Sequence, residues 1–184
     1  MTAITNAWVY ASGAKGFRRE GYVHVTDLGK GEMRSLRDVI SGLPDGWDNP
    51  DSVWHWHNSG AFGVIKGEEV YVSDETGTEK LHDAYPSLPN DWRDGITDTW
   101  VYASGAKGFR RGEYVHVTDL GKGEMRSLRD VISGLPDGWD NPDCVWHWQN
   151  SGAFGVINNG ELYISDETGT QALHDAYPSL PSNW

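Results

Sequence analysis

The sequence is an internal duplication, and this feature restricts the fold more than any other. Residues 7–92 match residues 99–184 at an offset of 92 positions, with 14 differences among the 86 aligned positions. Residues 22–51 and 114–143 are identical throughout. An internal repeat indicates that one structural unit is built more than once, so the repeat has to be defined before local patterns are interpreted.

Each half divides again into two related units. Residues 12–27, "SGAKGFRREGYVHVTD", resemble residues 59–74, "SGAFGVIKGEEVYVSD". The segment "GLPDGW" near the end of the first unit resembles "SLPNDW" near the end of the second. The 184 residues therefore form four units of about 46 residues, which we expect at 6–50, 51–97, 98–142 and 143–184.

The pattern inside a unit is that of short strands joined by glycine-containing turns. Tyr22, His24 and Thr26 alternate with Val23 and Val25, which predicts a strand with two different faces. Similar short runs precede and follow this strand in every unit. The chain is rich in turn formers, with 23 Gly and 8 Pro, and this composition is typical of all-β folds.

One helix is expected in each unit, between the last strand and the closing Leu-Pro pair. In "KGEMRSLRDVIS" of the odd units, the apolar residues follow helical spacing: Met33, Leu36, Val39 and Ile40. In the even units Asp74 or Thr76 would open a shorter helix. The prediction is therefore an all-β chain with short helices between its blades.

Three or four short strands, repeated four times, favour a radial arrangement. One such unit is too small to bury both of its faces, whereas four units in a ring bury the faces of each against its neighbours. The sequence therefore predicts a four-bladed β-propeller in which the duplication produces a pseudo-twofold axis and two alternating blade types.

The order of motifs within the units resembles that of hemopexin repeats. In residues 98–143 an Asp opens the unit, an aromatic strand and a Gly turn follow, and "GLPDGW" precedes the next Asp. The resemblance extends over nearly the whole chain and includes the four-blade count. The first unit departs from it by opening with Asn6, and Trp occupies first-strand positions where the family usually has small residues or Phe.

The resemblance implies a central channel lined by the first strand of each blade. In the family, main-chain carbonyls in this channel often hold ions, and oxygen ligands suit Na⁺ or Ca²⁺. A water-filled channel is the alternative. Some relatives bind haem through His, although many do not. If this chain bound haem, His55 and His147 would be the ligands. The carbonyls that would hold the ion are those of Asn6, Asp51, Asp98 and Asp143.

The segment "VWHWHN" at 53–58 alternates Trp with His. In a strand, Trp54 shares one face with Trp56, and His55 shares the other with His57. One interpretation is that the Trp residues fill the wedge between blades while the His residues form local hydrogen bonds. The other is that His55 faces His147 across the channel and that both contribute to a binding site.

These considerations predict a small-ligand-binding protein with its ligand at or near the channel mouth. Seed-albumin relatives are associated with polyamine binding, so the ligand classes considered are cationic, apolar or sugar-like. Trp and Tyr would stack on the ligand, and His would bind it through hydrogen bonds. The expected ligand-binding residues are Trp8, Tyr10, Trp54, His55, Trp100, Tyr102, Trp146 and His147.

Two alternatives remain open at this stage. The first is an enzyme, such as a cyclase or isomerase of an apolar metabolite, in which His55 and His147 would be catalytic and move the proton. The second is a lectin-like defence protein, in which the repeats present several copies of one weak sugar site.

Charge and composition restrict the partners. The net charge of −12 argues against nucleic acid, which requires clustered Lys and Arg. Cys144 is the single cysteine, no apolar stretch is long enough to span a bilayer, and the first residues lack the features of a signal peptide. We therefore expect a cytoplasmic monomer or homodimer without membrane contact. The preferred interpretation of Arg18, Arg19, Arg110 and Arg111 is that of solvated strand-edge residues. The alternatives are pairing with Glu20 or Glu113, or binding of a carboxylate ligand.

Overall fold

The structure, a computed structural model, describes residues 3–27, 30–119 and 122–184. These residues form four antiparallel sheets of four strands each, and in every sheet the spatial order of the strands is their order in the chain. A four-residue helix follows each sheet. The fold is thus a four-bladed β-propeller, as the repeat pattern and the resemblance predicted.

The elements of the first two blades have the following bounds. The first blade contains β1 (Asn6–Val9), β2 (Lys15–Arg19), β3 (Tyr22–Asp27), β4 (Lys30–Ser35) and α1 (Leu36–Val39). The second contains β5 (Ser52–His55), β6 (Phe62–Lys66), β7 (Glu69–Val72), β8 (Thr78–Lys80) and α2 (Leu81–Ala84).

The third and fourth blades repeat this order. The third contains β9 (Ile96–Val101), β10 (Lys107–Arg111), β11 (Tyr114–Asp119), β12 (Lys122–Ser127) and α3 (Leu128–Val131). The fourth contains β13 (Cys144–His147), β14 (Phe154–Asn158), β15 (Glu161–Ile164), β16 (Thr170–Ala172) and α4 (Leu173–Ala176).

The core is divided into four hydrophobic clusters, one at each blade–blade interface. The first strands β1, β5, β9 and β13 contact one another in ring order around the axis. Each cluster combines residues of one blade with residues of the next, and the cluster between the fourth and first blades contains both Ile4 and Leu180. The two ends of the described chain therefore pack together and close the ring.

A Trp on each first strand lies against a Gly on the second strand. Trp54 stands directly opposite Gly63, and a Cβ atom added to Gly63 would overlap the indole ring. The other three blades use the same pairing. Because only Gly leaves room for the ring, this pair fixes how each Trp packs and fills the wedge between blades. The equivalent pairs are Trp8 with Gly16, Trp100 with Gly108 and Trp146 with Gly155.

The expected helices are shorter than the sequence predicted and begin later. Residues 30–35 form strand β4, and α1 begins at Leu36 with Ser35 as its N-cap, whose Oγ accepts a hydrogen bond from Asp38 N. In this strand Gly31 pairs with Thr26 and lies under the His24 ring in a position where no Cβ fits. In the even blades the helices begin at Leu81 and Leu173, so that Asp74 and Thr76 do not open a helix.

The sequence alignment of the four units is wrong by one residue in the even blades. Strand register matches Trp54 with Trp8, and the residue equivalent to Asn6 is therefore Ser52 rather than Asp51. By the same register, Cys144 rather than Asp143 corresponds to Asp98 in the third blade. The strand β9 begins at Ile96, two residues before the position at which we expected the third unit to start.

Arg18 and Arg110 are buried, in contrast to the solvated position that the sequence suggested. Each is 2% exposed. In the third blade Arg110 donates from Nε to Asp98 Oδ2 (2.7 Å) and from its Nη atoms to Asn141 Oδ1 (3.0 Å) and Pro142 O (3.0 Å). Buried charges need such partners because the low-polarity interior does not solvate them.

The first blade has the same arrangement with one change of charge. Arg18 donates from Nε to Asn6 Oδ1 (2.8 Å), where the third blade has the carboxylate of Asp98. Burial lowers the pKa of Arg18 to about 10, so it remains a cation at neutral pH. The buried guanidinium group of Arg110 thus has a carboxylate partner, whereas that of Arg18 has an amide in its place.

We expect Gly63→Ala to destabilise the protein by about 1–3 kcal/mol, because the added methyl group overlaps the buried Trp54 ring. Urea unfolding followed by circular dichroism measures the change. The same substitution made together with Trp54→Phe should cost less than the sum of the two single changes, since the smaller ring leaves room. Additive costs would show that the Trp–Gly contact does not limit packing.

We expect Arg110→Met to destabilise the protein more than Arg18→Met. The first change leaves the Asp98 carboxylate buried without its ion pair, which costs about 3–5 kcal/mol, whereas the second leaves only a neutral amide. Burial already raises the pKa of Asp98, and Arg110 opposes this rise. The difference in unfolding free energy between the two variants should therefore be largest at pH 8 and decrease as acid protonates Asp98. A difference in unfolding free energy that increases in acid would contradict the view that the unpaired Asp98 carboxylate causes it.

Candidate functional site

The axial channel is narrow and lined by Trp and His residues of the first strands. Its cavity has a volume of about 20 Å³, which is room for one water molecule or one ion. The structure brings six of the expected ligand-binding residues to this cavity: Trp8, Trp54, His55, Trp100, Trp146 and His147.

The four Trp rings in this set are buried and packed between blades, and their ligand-binding role stays a prediction. Each is 1–3% exposed. Trp8 contacts Phe62 of the second blade with 5.4 Å between ring centroids, and Trp54 contacts Phe109 of the third blade at 6.2 Å. Their indole Nε1–H groups are buried and have no hydrogen-bond partner among the described residues. The geometry therefore gives these rings little surface with which to stack on a ligand.

His55 lies in the interface between the first and second blades and also borders the cavity. Its ring is 5.0 Å from the Tyr10 ring and 4.6 Å from the Phe62 ring. Burial lowers its pKa to about 4, the nearby His57 adds to the effect, and the Ala61 backbone opposes it. His55 is thus neutral at pH 7.

His147 repeats this environment in the fourth blade. Its ring is 5.0 Å from Tyr102 and 4.5 Å from Phe154, and burial lowers its pKa to about 4. Tyr10 and Tyr102, both expected to bind ligand, are half-buried beside these His rings and are not part of the cavity lining. The catalytic role of His55 and His147, expected only if the chain is an enzyme, stays a prediction.

A contact between opposite blades crosses the channel mouth. Asn150 Nδ2 of the fourth blade is 3.4 Å from His57 Nε2 of the second. The fourth blade has Gln149 at the position of His57, and both residues border the cavity. This contact narrows the mouth above His55 and His147.

Haem does not fit at His55 and His147, because the space beside them holds about 20 Å³ and their rings are packed against Tyr and Phe. The proposed channel ion meets another obstacle. Near the first-strand ends lie two buried guanidinium groups, and the buried carboxylate of Asp98 is already engaged by Arg110 and the backbone N–H of Val145. This charge balance disfavours a cation there. The carbonyl ligands of Asn6, Asp51, Asp98 and Asp143 stay a prediction.

No three His, Cys, Asp or Glu side chains within residues 3–27, 30–119 and 122–184 are arranged to hold a metal ion. In the same ranges no helix has the length and apolar character needed to cross a membrane.

A larger opening lies between the second and third blades and has a volume of about 390 Å³, which we call the aromatic groove. This volume is within the range of small-ligand sites, roughly 300–1,000 Å³. Trp56 and Tyr85 provide its aromatic walls, and Lys107 enters from the third blade. The Lys107 Nζ atom is 5.6 Å from the Trp56 ring centroid and 5.8 Å from that of Tyr85, which is cation–π distance.

Three exposed carboxylates complete the aromatic groove: Asp74, Glu75 and Glu79. Burial raises the pKa of Tyr85, and the charges of Glu75 and Glu79 raise it further. The phenol hydroxyl of Tyr85 therefore stays protonated at neutral pH and can donate a hydrogen bond. The groove combines two aromatic faces, one ammonium group and several acceptors in one open site.

The duplication repeats the centre of this arrangement between the fourth and first blades. Lys15 Nζ is 5.7 Å from the Trp148 ring centroid and 5.8 Å from that of Tyr177. At the position of Glu79 the fourth blade has Gln171. The two halves thus share the aromatic and lysine components and differ in acidic charge.

The groove residues Trp56, Tyr85 and Lys107 are not evident as a set from the sequence. Trp56 was recognised as a partner of Trp54 on one strand face, and their rings are indeed 5.5 Å apart. Tyr85 and Lys107 belong to segments that repeat in both halves, "LHDAYP" and "AKGF". Repetition alone does not distinguish such residues from packing residues, and it cannot show that two blades bring them together.

We expect stability to fall as the pH decreases from about 6.5 to about 4, partly because His55 and His147 titrate. Their pKa is lower in the folded state than the ordinary value of 6.5, so the unfolded chain binds more protons across this window. His147→Gln should flatten the dependence of the unfolding free energy on pH in this range. An unchanged slope, with NMR titration of His147 near 6.5 in the folded protein, would contradict the buried neutral state.

Comparisons with known proteins agree on the fold. No protein-family model matches the sequence, and no curated protein matches it. A hemopexin fold protein from cow pea superposes with a TM-score of 0.75 at 11% identity, covering 97% of each chain. A plant lectin with two metal binding sites from Cicer arietinum gives 0.77 at 10% identity, covering 96% of each chain.

A plant albumin from Cicer arietinum showing hemagglutination gives a TM-score of 0.76 at 10% identity, again covering 96% of each chain. At this identity the likeness concerns the fold alone. The chain has the four-bladed hemopexin-type propeller architecture.

Proposed function

We propose that this protein is a carbohydrate-binding protein and that the aromatic groove between the second and third blades is its sugar site. The observation that carries the proposal is the combination of the Trp56 and Tyr85 faces with three carboxylates in an opening of about 390 Å³. We assign the ligand to the groove rather than to the channel, whose volume of about 20 Å³ is too small for a sugar ring.

The groove has the groups that sugar recognition requires. An aromatic face accepts the apolar C–H face of a pyranose ring, and Trp56 is half-buried, so part of its ring remains accessible. Carboxylates accept hydrogen bonds from sugar hydroxyl groups, and the ammonium group of Lys107 donates to hydroxyl oxygens. No covalent step or cofactor is needed for this function.

The comparison structures support the proposal. One is described as a lectin and another as an albumin that shows hemagglutination, and both have the same fold over nearly their whole length. Agglutination requires at least two binding sites in one particle. Here the duplication provides a second set of Lys, Trp and Tyr at Lys15, Trp148 and Tyr177.

A second candidate ligand is an organic cation. Lys107 already shows that an ammonium group is accommodated over Trp56 and Tyr85. The surrounding Asp74, Glu75 and Glu79 and the net charge of −12 attract further cations. A ligand ammonium group would then compete with Lys107 for the two rings.

We expect Trp56→Ala to weaken sugar binding at this groove about tenfold or more, because the stacking face is lost. Isothermal titration calorimetry against a panel of mono- and disaccharides measures affinity and stoichiometry. Trp148→Ala is the matched control for the other half. Trp56→Ala combined with Trp148→Ala should remove binding, and retained sugar affinity in a folded double variant would overturn the proposal.

Lys107→Ala separates the two candidate ligands. If the ligand is a sugar, this change removes a donor and weakens binding. If the ligand is a cation, with a simple diamine as the probe, the change removes a competing ammonium group and strengthens binding. Weakened sugar affinity together with unchanged diamine affinity supports the carbohydrate function, whereas unchanged sugar affinity together with strengthened diamine affinity favours the cationic ligand.

A further inference from the structure

The outer strands of the first and third blades form two long exposed sheet edges. Strands β4 and β12 each have six residues, "KGEMRS", of which five are exposed. The outer strands of the other two blades, β8 and β16, have only three residues each. An exposed edge presents unpaired backbone groups and is able to pair with another strand.

The large apolar side chains that are exposed among the described residues all lie at these two edges. Tyr22 is 58% exposed and Met33 is 45% exposed on β3 and β4, and the equivalents Tyr114 and Met125 are 50% and 45% exposed on β11 and β12. Exposed apolar side chains that gather in one place, rather than scatter, are typical of interaction surfaces.

The hydrogen-bond register shows which backbone groups of β4 point outward. Leu36 N donates to Gly21 O at 2.8 Å, and these residues are opposite each other in the β3–β4 register, so they form a hydrogen-bonded pair. Hydrogen-bonded and non-hydrogen-bonded pairs alternate along an antiparallel ladder. The backbone groups of Gly31, Met33 and Ser35 therefore point away from β3.

The charges beside these residues are complementary to those of a second copy. In an antiparallel pair of two β4 strands centred on Met33, the Met33 residues oppose each other and Gly31 opposes Ser35 of the second copy. These are the residues whose backbone groups point outward. In the same register Glu32 opposes Arg34 of the second copy, and opposite charges at such positions stabilise strand pairs.

We propose that these edges bind a second copy of this chain by antiparallel strand pairing centred on Met33 or Met125. Glu32 and Arg34 are already 3.1 Å apart within β4, and Glu124 and Arg126 are equally close in β12. Pairing would join two such ion pairs into a ring of alternating charges. Edge charges usually prevent strand association, whereas this alternating order makes the edge self-complementary.

The assembly is open-ended because each chain has two equivalent edges in opposite blades. A twofold contact at one edge leaves the other edge of each copy available, so chains grow rather than stop at dimers. A six-residue strand contact buries little area, so the association is weak and depends on concentration and on salt.

Charge reversal tests this proposal with the full chain. Sedimentation velocity of the unaltered protein should give an average mass that exceeds 20.5 kDa and rises with concentration. The pair Glu32→Arg with Glu124→Arg, and the pair Arg34→Glu with Arg126→Glu, should each give single chains because like charges oppose each other. Mixing the two variants restores opposite charges and should restore association.

A backbone variant gives an independent check. Met33→Pro with Met125→Pro removes only N–H groups that point outward, so the ladder to β3 and β11 is kept and association should be lost. Glu32→Pro, which removes an inward N–H, is the control that should lower thermal stability. A mass of 20.5 kDa for the unaltered protein at all concentrations, or association that survives both charge-reversed variants unmixed, would overturn the proposal.

Discussion

The buried guanidinium groups of Arg18 and Arg110 join the parts of each odd blade and connect it to the next. Each group binds the first strand of its own blade and the loop that leads into the following blade. The bound Asn6 or Asp98 side chain also accepts a hydrogen bond from the next first strand, at Val53 N or Val145 N. Asn6 Nδ2 also donates to Thr97 O at the start of the third blade, so this buried polar cluster connects the first blade to two others.

The packing of the first strands determines where a ligand can bind. Trp8, Trp54, Trp100 and Trp146 are held against Gly residues and the next blade, so their faces are used in the core and the channel stays narrow. The aromatic residues just beyond the strand ends, such as Trp56, are less constrained and keep accessible surface. Under the proposed function, the ligand therefore binds in a groove between blades rather than at the axis.

The repeats and the strand alternation were sufficient to predict the architecture, because blade number and topology follow from periodicity. They did not predict which residues lie opposite each other. The shift from Asp51 to Ser52, the strand at residues 30–35 and the burial of Arg18 all depend on cross-strand pairing and on contacts between blades. The aromatic groove is a further case, since Trp56 and Lys107 belong to different blades and meet only in the folded ring.

The amino-acid differences between the two halves of the chain are unevenly distributed, and some of them lie in the wall of the proposed sugar site. Residues 22–51 and 114–143, which contain both exposed edges, are identical, whereas the groove walls differ at Val70, Val72 and Glu79. The other half has Leu162, Ile164 and Gln171 at these positions. The second half thus has larger apolar side chains and one fewer negative charge at these positions. A ligand that depends on the carboxylates would thus distinguish two sites that share the same Lys, Trp and Tyr.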